Sequence, residues 1–365
     1  MNVLPSPLLL LGVGGAGAAM LRGVLRAYGP GIRALAIDTD AQAGGNGDIP
    51  FLLLGGNRLA GRGTGGQPAS ARAAFQDTPT ILDTSLDGVR TVVIVTALGG
   101  GTGGGATGEI LKHLHTLGIS TLVFATLPFA FEGAERMRNA RTAIGPIEQH
   151  ADVSVFLPLD ELVSTAGTDN MRDSLAHGID TLALGVTLLW RVLERPGYIQ
   201  LDAERLRSVL TGCGRAHFAT ATAQGPDRAD AVLAALSESP LLKRDDTSPH
   251  VRTLLVGILA GDDLRLSEVG TVASGLSAAF GLGAALELGT VNDEETFSGR
   301  LTVVTLVFDE SAIVTRKPAP GTTRATPRER ALARTDRFRH SDATMWNDED
   351  LDIPTFVRRH LTLDR

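Results

Sequence analysis

Seven of the twelve residues from Ala97 to Gly108 are glycine: Gly99, Gly100, Gly101, Gly103, Gly104, Gly105 and Gly108, broken by Thr102, Ala106 and Thr107. The run follows Thr91-Val-Val-Ile-Val-Thr96, which reads as a buried strand. Residues without a Cβ at the end of a strand and ahead of a helix let main-chain N–H groups crowd round an anion, and a phosphate chain is the natural guest. No lysine follows, which separates this loop from the Gly-x-x-x-x-Gly-Lys-Ser/Thr loop whose lysine reaches the terminal phosphates. Phosphate charge must instead be met by amide dipoles, a helix N-terminus and Mg²⁺. A flexible linker is the plain alternative, but five β-branched or apolar strand formers do not precede a linker.

A second loop offers different chemistry. Gly12-Val-Gly14-Gly15-Ala-Gly17 fits Gly-x-Gly-x-x-Gly between a strand and a helix, and Asp38 closes the next strand. Alone, this is a dinucleotide fingerprint with a carboxylate for a ribose hydroxyl, and it reads as a nicotinamide-dependent enzyme. The loop at 99–105 is one that a nicotinamide fold does not need.

The elements that must position these loops follow from periodicity. Short apolar runs at Leu8–Leu11, Ala34–Asp38, Thr91–Thr96, Ser120–Thr126 and Val153–Pro158 predict strands. Helices are predicted at Ala18–Ala27, Ala69–Asp77, Gly105–Leu117 and Arg136–His150. The alternation implies an α/β, Rossmann-like parallel sheet over residues 1–173, with the turns gathered at the carboxyl edge of the strands. Leu175, Ile179, Leu182, Val186, Leu189 and Leu193 recur every three or four positions, so 174–196 reads as a long central helix ended by Arg195-Pro196-Gly197. Residues 197–312 read as a smaller α/β domain, with helices at Asp227–Ser237 and Ser267–Phe280 and strands at Val251–Ala260, Ala284–Leu288 and Leu301–Phe308, the last a central strand.

Residues 313–350 form a basic stretch read as a disordered tether: 316–340 hold eight Arg or Lys against Glu329 and Asp336, with few apolar anchors. Apolar residues return in 351–365, where Leu351, Asp352, Ile353, Pro354, Phe356, Val357 and Arg358 read as a docking peptide. A formal charge of −7 argues against a nucleic-acid partner. The single Cys213 excludes an internal disulfide, no run is long enough to span a membrane, and the chain is expected to be cytoplasmic. The eight scattered histidines and the lone cysteine predict no protein-held metal site.

Gly99-Gly-Gly-Thr-Gly-Gly-Gly105 resembles the glycine signature of the tubulin/FtsZ superfamily, and the neighbouring segments resemble the bacterial cell-division FtsZ family in particular. Gly12–Gly17, Ile37-Asp-Thr-Asp-Ala-Gln42, Gly61-Arg-Gly-Thr-Gly-Gly-Gln-Pro68 and Pro128-Phe-Ala-Phe-Glu-Gly-Ala-Glu-Arg136 match that family's loops in order, and Leu351–Arg359 resembles its tail peptide. The resemblance implies a GTP/GDP-binding domain, Mg²⁺ carried by the nucleotide, and subunits stacked head to tail into a filament for division. It also implies tether or regulator proteins at the tail. Nucleotide contacts are then implied for Gly14, Gly15, Gly17, Asp38, Asp40, Thr64, Gly65, Gly66, the run Gly99 to Gly105 including Thr102, Pro128, Glu132, Arg136 and His177. Asp180 or Thr181 falls at the position that reads guanine. Hydrolysis in the family is completed by an acidic loop of the next subunit, here Gln200-Leu-Asp202-Ala-Glu204-Arg205.

The chain departs from the family at that loop. Asp202 keeps the first acid, while Arg205 replaces the second, a donor-only cation where a water acceptor is wanted, with Glu204 one place away. Ala19, Asp38 and Leu159 stand where the family has asparagine. Phosphate recognition reads as intact and base recognition as altered. These departures imply weak hydrolysis or a non-hydrolysing paralogue that modulates a co-resident FtsZ.

Overall fold

The computed structural model describes residues 7–28, 31–45, 47–164, 170–194, 197–200, 214–242, 251–280, 284–309, 345–346 and 349–350. In chain order the strands are β1 (Leu8–Val13), β2 (Ala34–Asp38), β3 (Phe51–Leu53), β4 (Thr91–Ala97), β5 (Ser120–Leu127), β6 (Val153–Pro158), β7 (Gly214–Gln224), β8 (Val251–Ala260), β9 (Ala285–Asn292) and β10 (Arg300–Asp309). The helices are α1 (Gly14–Tyr28), α2 (Gly56–Leu59), α3 (Pro68–Asp77), α4 (Gly101–Thr116), α5 (Ala134–His150), α6 (Leu159–Ser164), α7 (Met171–Glu194), α8 (Arg228–Glu238), α9 (Leu266–Phe280) and α10 (Glu294–Phe297).

The strand order is β3-β2-β1-β4-β5-β6-β7-β10-β8-β9, a single ten-stranded sheet. From β3 to β6 every pairing is parallel. The remainder is mixed, since β10 runs antiparallel to both β7 and β8 while β8 and β9 are parallel. The sequence predicts a smaller domain joined through the central helix; the sheet adds a second joint, because β7 continues it alongside β6. That seam is narrow, with only Val153↔Gly214 and Ser154↔Arg215 in register.

Alternation along a strand sends successive side chains to opposite faces, and β1 is buried on both. Leu8 and Leu10 enter a core with α1 and α7; Leu9, Leu11 and Val13 enter another with α3, α4 and α5. Each such leucine removed from water contributes about 1.5–3 kcal/mol. The core on the α1 and α7 face continues into β7, β8 and β10, with Phe124 of β5 meeting Phe218 of β7 edge to face at 5.4 Å. A third core lies between β7, β8, β10 and the helices α8 and α9.

Two helices start a full turn earlier than periodicity predicts. α1 begins at Gly14 instead of Ala18, and α4 at Gly101 instead of Gly105, so the glycines thought to form loops make the first helical turns. Glycine is a poor helix former. It is tolerated here because tight packing leaves no room for a side chain. A Cβ on Gly17 would lie 2.6 Å from the Val95 carbonyl oxygen, and one on Gly105 would collide with that of Pro68.

Among the described residues no helix is long and apolar enough to cross a membrane. Residues 317–365 form a separate unit. Within the stretch read as a disordered tether, Met345–Trp346 pairs antiparallel with Glu349–Asp350. The docking peptide from Leu351 to Arg358, the acidic-loop residues Asp202, Glu204 and Arg205, and Cys213 all lie outside the described residues.

Candidate functional site

β1, β2, β4 and β5 all point their carboxyl ends the same way, and the segments that leave them enclose a crevice of about 570 Å³. That is a volume suited to one small ligand. Its lining includes Gly14, Gly15, Asp38, Asp40, Thr64, Gly65, Gly66, Gly100, Gly101, Thr102, Gly103, Pro128, Glu132 and Arg136. All fourteen were singled out from the sequence.

The floor is made by two helix N-termini. The first-turn N–H groups of a helix have no partner within it, and they carry the positive end of its dipole. Gly100 is the N-cap of α4 and provides no side-chain cap, and α1 starts at Gly14, φ +80°, a conformation glycine adopts without strain. The two starts touch: a Cβ on Gly14 would lie 3.2 Å from the Gly103 nitrogen. First-turn residues of both helices therefore line one space, which suits an oligophosphate because such turns offer main-chain N–H groups without helical partners.

One wall is a polar network centred on Asp38, 4% exposed. Its Oδ1 accepts hydrogen bonds from the Thr39 amide at 2.6 Å and the Thr102 hydroxyl at 2.7 Å, and Thr39 Oγ1 lies 2.7 Å from Thr102 Oγ1. The end of β2 is thus tied to the first turn of α4. Asp40 accepts from the Gln42 amide at 2.9 Å, capping a short 3₁₀ turn, and its main chain forms an isolated antiparallel β-bridge with that of Arg62. Across the crevice Glu132 accepts from the Phe129 amide at 2.9 Å and is ion-paired with Arg136 on the following turn. The Asn139 side chain donates to the carbonyls of Gly66 and Gly99, at 3.4 and 3.5 Å, lacing two glycine turns together.

Other predicted contacts stand apart from the lining. Gly17, Gly104 and Gly105 sit behind it, packed on Val95 or Pro68, and Gly99 makes the turn after β4 with φ +103°. His177, Asp180 and Thr181 on α7 are not among the lining residues; His177 Nε2 lies 3.5 Å from Thr181 Oγ1. Neighbouring α7 residues explain the orientation, since Gly178 faces Leu162 of α6 and Ile179 faces Gly23 of α1. Leu159 does line the crevice.

Sequence reasoning missed Thr39, Arg62, Leu98 and Thr126 in the lining, and Asn139 behind it. Thr126, next to the last residue of β5, is 1% exposed, and its buried hydroxyl has no hydrogen-bond partner among the described residues. Asp38, Asp40 and Thr102 supply hard oxygens of the kind Mg²⁺ prefers. Among the described residues no group of three or more His, Cys, Asp or Glu gathers to hold a metal alone.

A family model described as the Tubulin/FtsZ family GTPase domain matches residues 7–167, and one for the FtsZ family C-terminal domain matches 214–309. The cell division protein FtsZ of Pseudomonas putida is 35% identical over 298 residues, covering 80% of this chain and 74% of that one. Its counterpart from Buchnera aphidicola subsp. Schizaphis graminum is 31% identical over 288 residues, 78% and 75% of the two chains. Among solved structures, an empty FtsZ dimer from M. jannaschii superposes with a TM-score of 0.77 at 25% identity, covering 82% of this chain and 87% of that one. CetZ2 from Haloferax volcanii, solved as a GTPgS-bound protofilament, superposes at 0.70 with 22% identity, covering 83% and 93%, which shows the shared fold.

Proposed function

This chain belongs to the Tubulin/FtsZ family, and from that premise we propose that it is a GTP-binding division protein whose subunits stack head to tail into filaments. The observation that carries the reading is the close approach of the α1 and α4 N-termini at Gly14 and Gly103, with first-turn residues of both helices lining one crevice. GTP or GDP would lie with its phosphates over these turns. Mg²⁺ would ride on the phosphates beside Asp38 and Asp40 and supply charge neutralisation there. The nicotinamide reading is left without support, since the family model matched over residues 7–167 is that of a GTPase domain.

Head-to-tail stacking is a heterologous contact that does not close, so it extends into a filament. In this reading Asp202 of one subunit orients water at the nucleotide of the next, and Arg205 weakens that step by standing where a second acceptor would act. With Leu159 in the crevice and Ala19 and Asp38 replacing amides, the guanine preference is relaxed; each lost base contact costs about 1–3 kcal/mol. The tail peptide Leu351–Arg358 would engage a membrane tether or regulator at the division site in the cytoplasm.

Arg205 also favours a second reading, a nucleotide-binding subunit without useful turnover that modulates a co-resident FtsZ. Phosphate release, together with pelleting in GTP, in GDP and without nucleotide, separates the two. Nucleotide-dependent pelleting with slow release supports the first, and Arg205→Asp is expected to raise the rate. A lower rate in that variant would instead make Arg205 a charge-stabilising finger, and absence of any GTP-dependent assembly overturns the filament.

A further inference from the structure

The charged residues that line the crevice are the carboxylates Asp38, Asp40 and Glu132 and the arginines Arg62 and Arg136. They are not equally engaged. Asp38 is taken up by Thr39 and Thr102, and Asp40 caps the turn that begins at Ala41. Glu132 and Arg136 neutralise one another as an ion pair. Arg62 is exposed, and among the described residues no ion pair or hydrogen bond engages its guanidinium.

The main chain beneath this side chain is held on both sides. The Ala41 amide donates to the Gly61 carbonyl at 3.0 Å and the Gly63 amide donates to the Thr39 carbonyl at 3.1 Å, so Arg62 stands between two bonds to the segment that leaves β2. Two residues on, Thr64 packs against the first turn of α4, where a Cβ on Gly101 would collide with the threonine hydroxyl. Asn139 holds the Gly66 carbonyl at 3.4 Å. A fastened loop therefore presents a long, unengaged cation at the rim of a crevice whose glycine loops bring no lysine.

The lining is graded across the sheet. Pro128 and Leu159, which follow β5 and β6, bring apolar surface to one end. The first turns of α1 and α4, which follow β1 and β4, occupy the middle, and Arg62 stands at the β2 end. A nucleotide with its base toward the apolar end and its phosphates over the helix starts directs its last phosphate toward Arg62.

We propose that Arg62 binds the terminal phosphate of GTP and so sets a preference for the triphosphate over the diphosphate. Arginine stays charged at any working pH and meets phosphate oxygens with a planar fork of N–H donors. The inference rests on the reading of the crevice as a GTP site.

The test uses the full chain, unmodified and carrying Arg62→Gln, which keeps donors but removes the charge, or Arg62→Lys, which keeps the charge without the fork. Affinities for GTP and for GDP are measured by titration in Mg²⁺. In Arg62→Gln, GTP affinity is expected to fall about tenfold and GDP affinity to stay within about twofold, because only the triphosphate reaches the arginine. Arg62→Lys is expected to recover part of the GTP loss. Unchanged GTP affinity in Arg62→Gln, a loss for GDP as large as that for GTP, or no recovery with lysine overturns the role of Arg62 and leaves the crevice reading intact. Failure of the unmodified chain to bind either nucleotide overturns the GTP reading, and this role with it.

Discussion

The two halves of the sheet solve opposite problems. Around the crevice the chain works by omission: glycines let α1 and α4 start against β4 and against one another, and main-chain amides carry the chemistry. In the C-terminal half it works by burying charge. Arg228, 3% exposed, donates from Nε and Nη2 to Glu268 at 2.7 and 3.0 Å, and from Nη1 to Asp263 at 2.7 Å. The difference teaches where each half is brittle, since the first cannot accept an added atom and the second cannot lose a partner.

The largest expected effect comes from the charged half. Glu268→Gln leaves the Arg228 guanidinium buried with a weakened partner set, and stability at neutral pH should fall by about 3–5 kcal/mol in denaturant melts. Hydrogen bonds from Arg228 hold the Glu268 carboxyl below its ordinary 4.5. A carboxylate depressed by folding stabilises at pH values above its unfolded pKa, and that contribution drains away as acid protonates it. The unmodified chain should lose stability as the pH falls below about 4.5, and the glutamine variant should lack that share of the decline.

A paired substitution tests the glycine half. Gly105→Ala must push against the Pro68 backbone, and thermal melts should register about 1–3 kcal/mol of destabilisation. Gly100→Ala meets nothing within 4 Å yet lines the crevice. It should keep stability to within about 1 kcal/mol, the difference between Gly and Ala as a helix cap, while weakening GTP binding in a titration. Equal behaviour of the two variants would break the distinction between packing glycines and ligand glycines. The smallest effect is expected at the surface. Arg58 and Asp77 are paired at 2.7 Å with both side chains 48% exposed, and Arg58→Ala should leave the melt unchanged.

Much of this was legible in the residue order. β2, β6 and β8 match their apolar runs, since a strand buried on both faces leaves a continuous signal. β7 left none: Gly-Arg-Ala-His-Phe-Ala-Thr-Ala-Thr-Ala-Gln mixes small and polar residues, and its strand form depends on the neighbour β10. The crevice glycines were legible because few other needs gather them, whereas Asn139 and Thr126 carry no local mark and matter only through the partners that folding brings or withholds. The placement of His177 and Asp180 away from the lining was equally hidden. A helix turns about 100° per residue, so alignment names a position on α7 while packing against Gly23 and Leu162 decides what it faces.

The narrow seam between β6 and β7 invites dissection of the chain into a nucleotide half and a C-terminal half. Two register pairs would be easily severed, yet the core beneath them is common property, holding Phe124, Leu189 and Trp190 together with Phe218 and Val304. Fragments cut there would each carry a freshly bared hydrophobic wall. The gene would express as two clumping pieces unless both were made together.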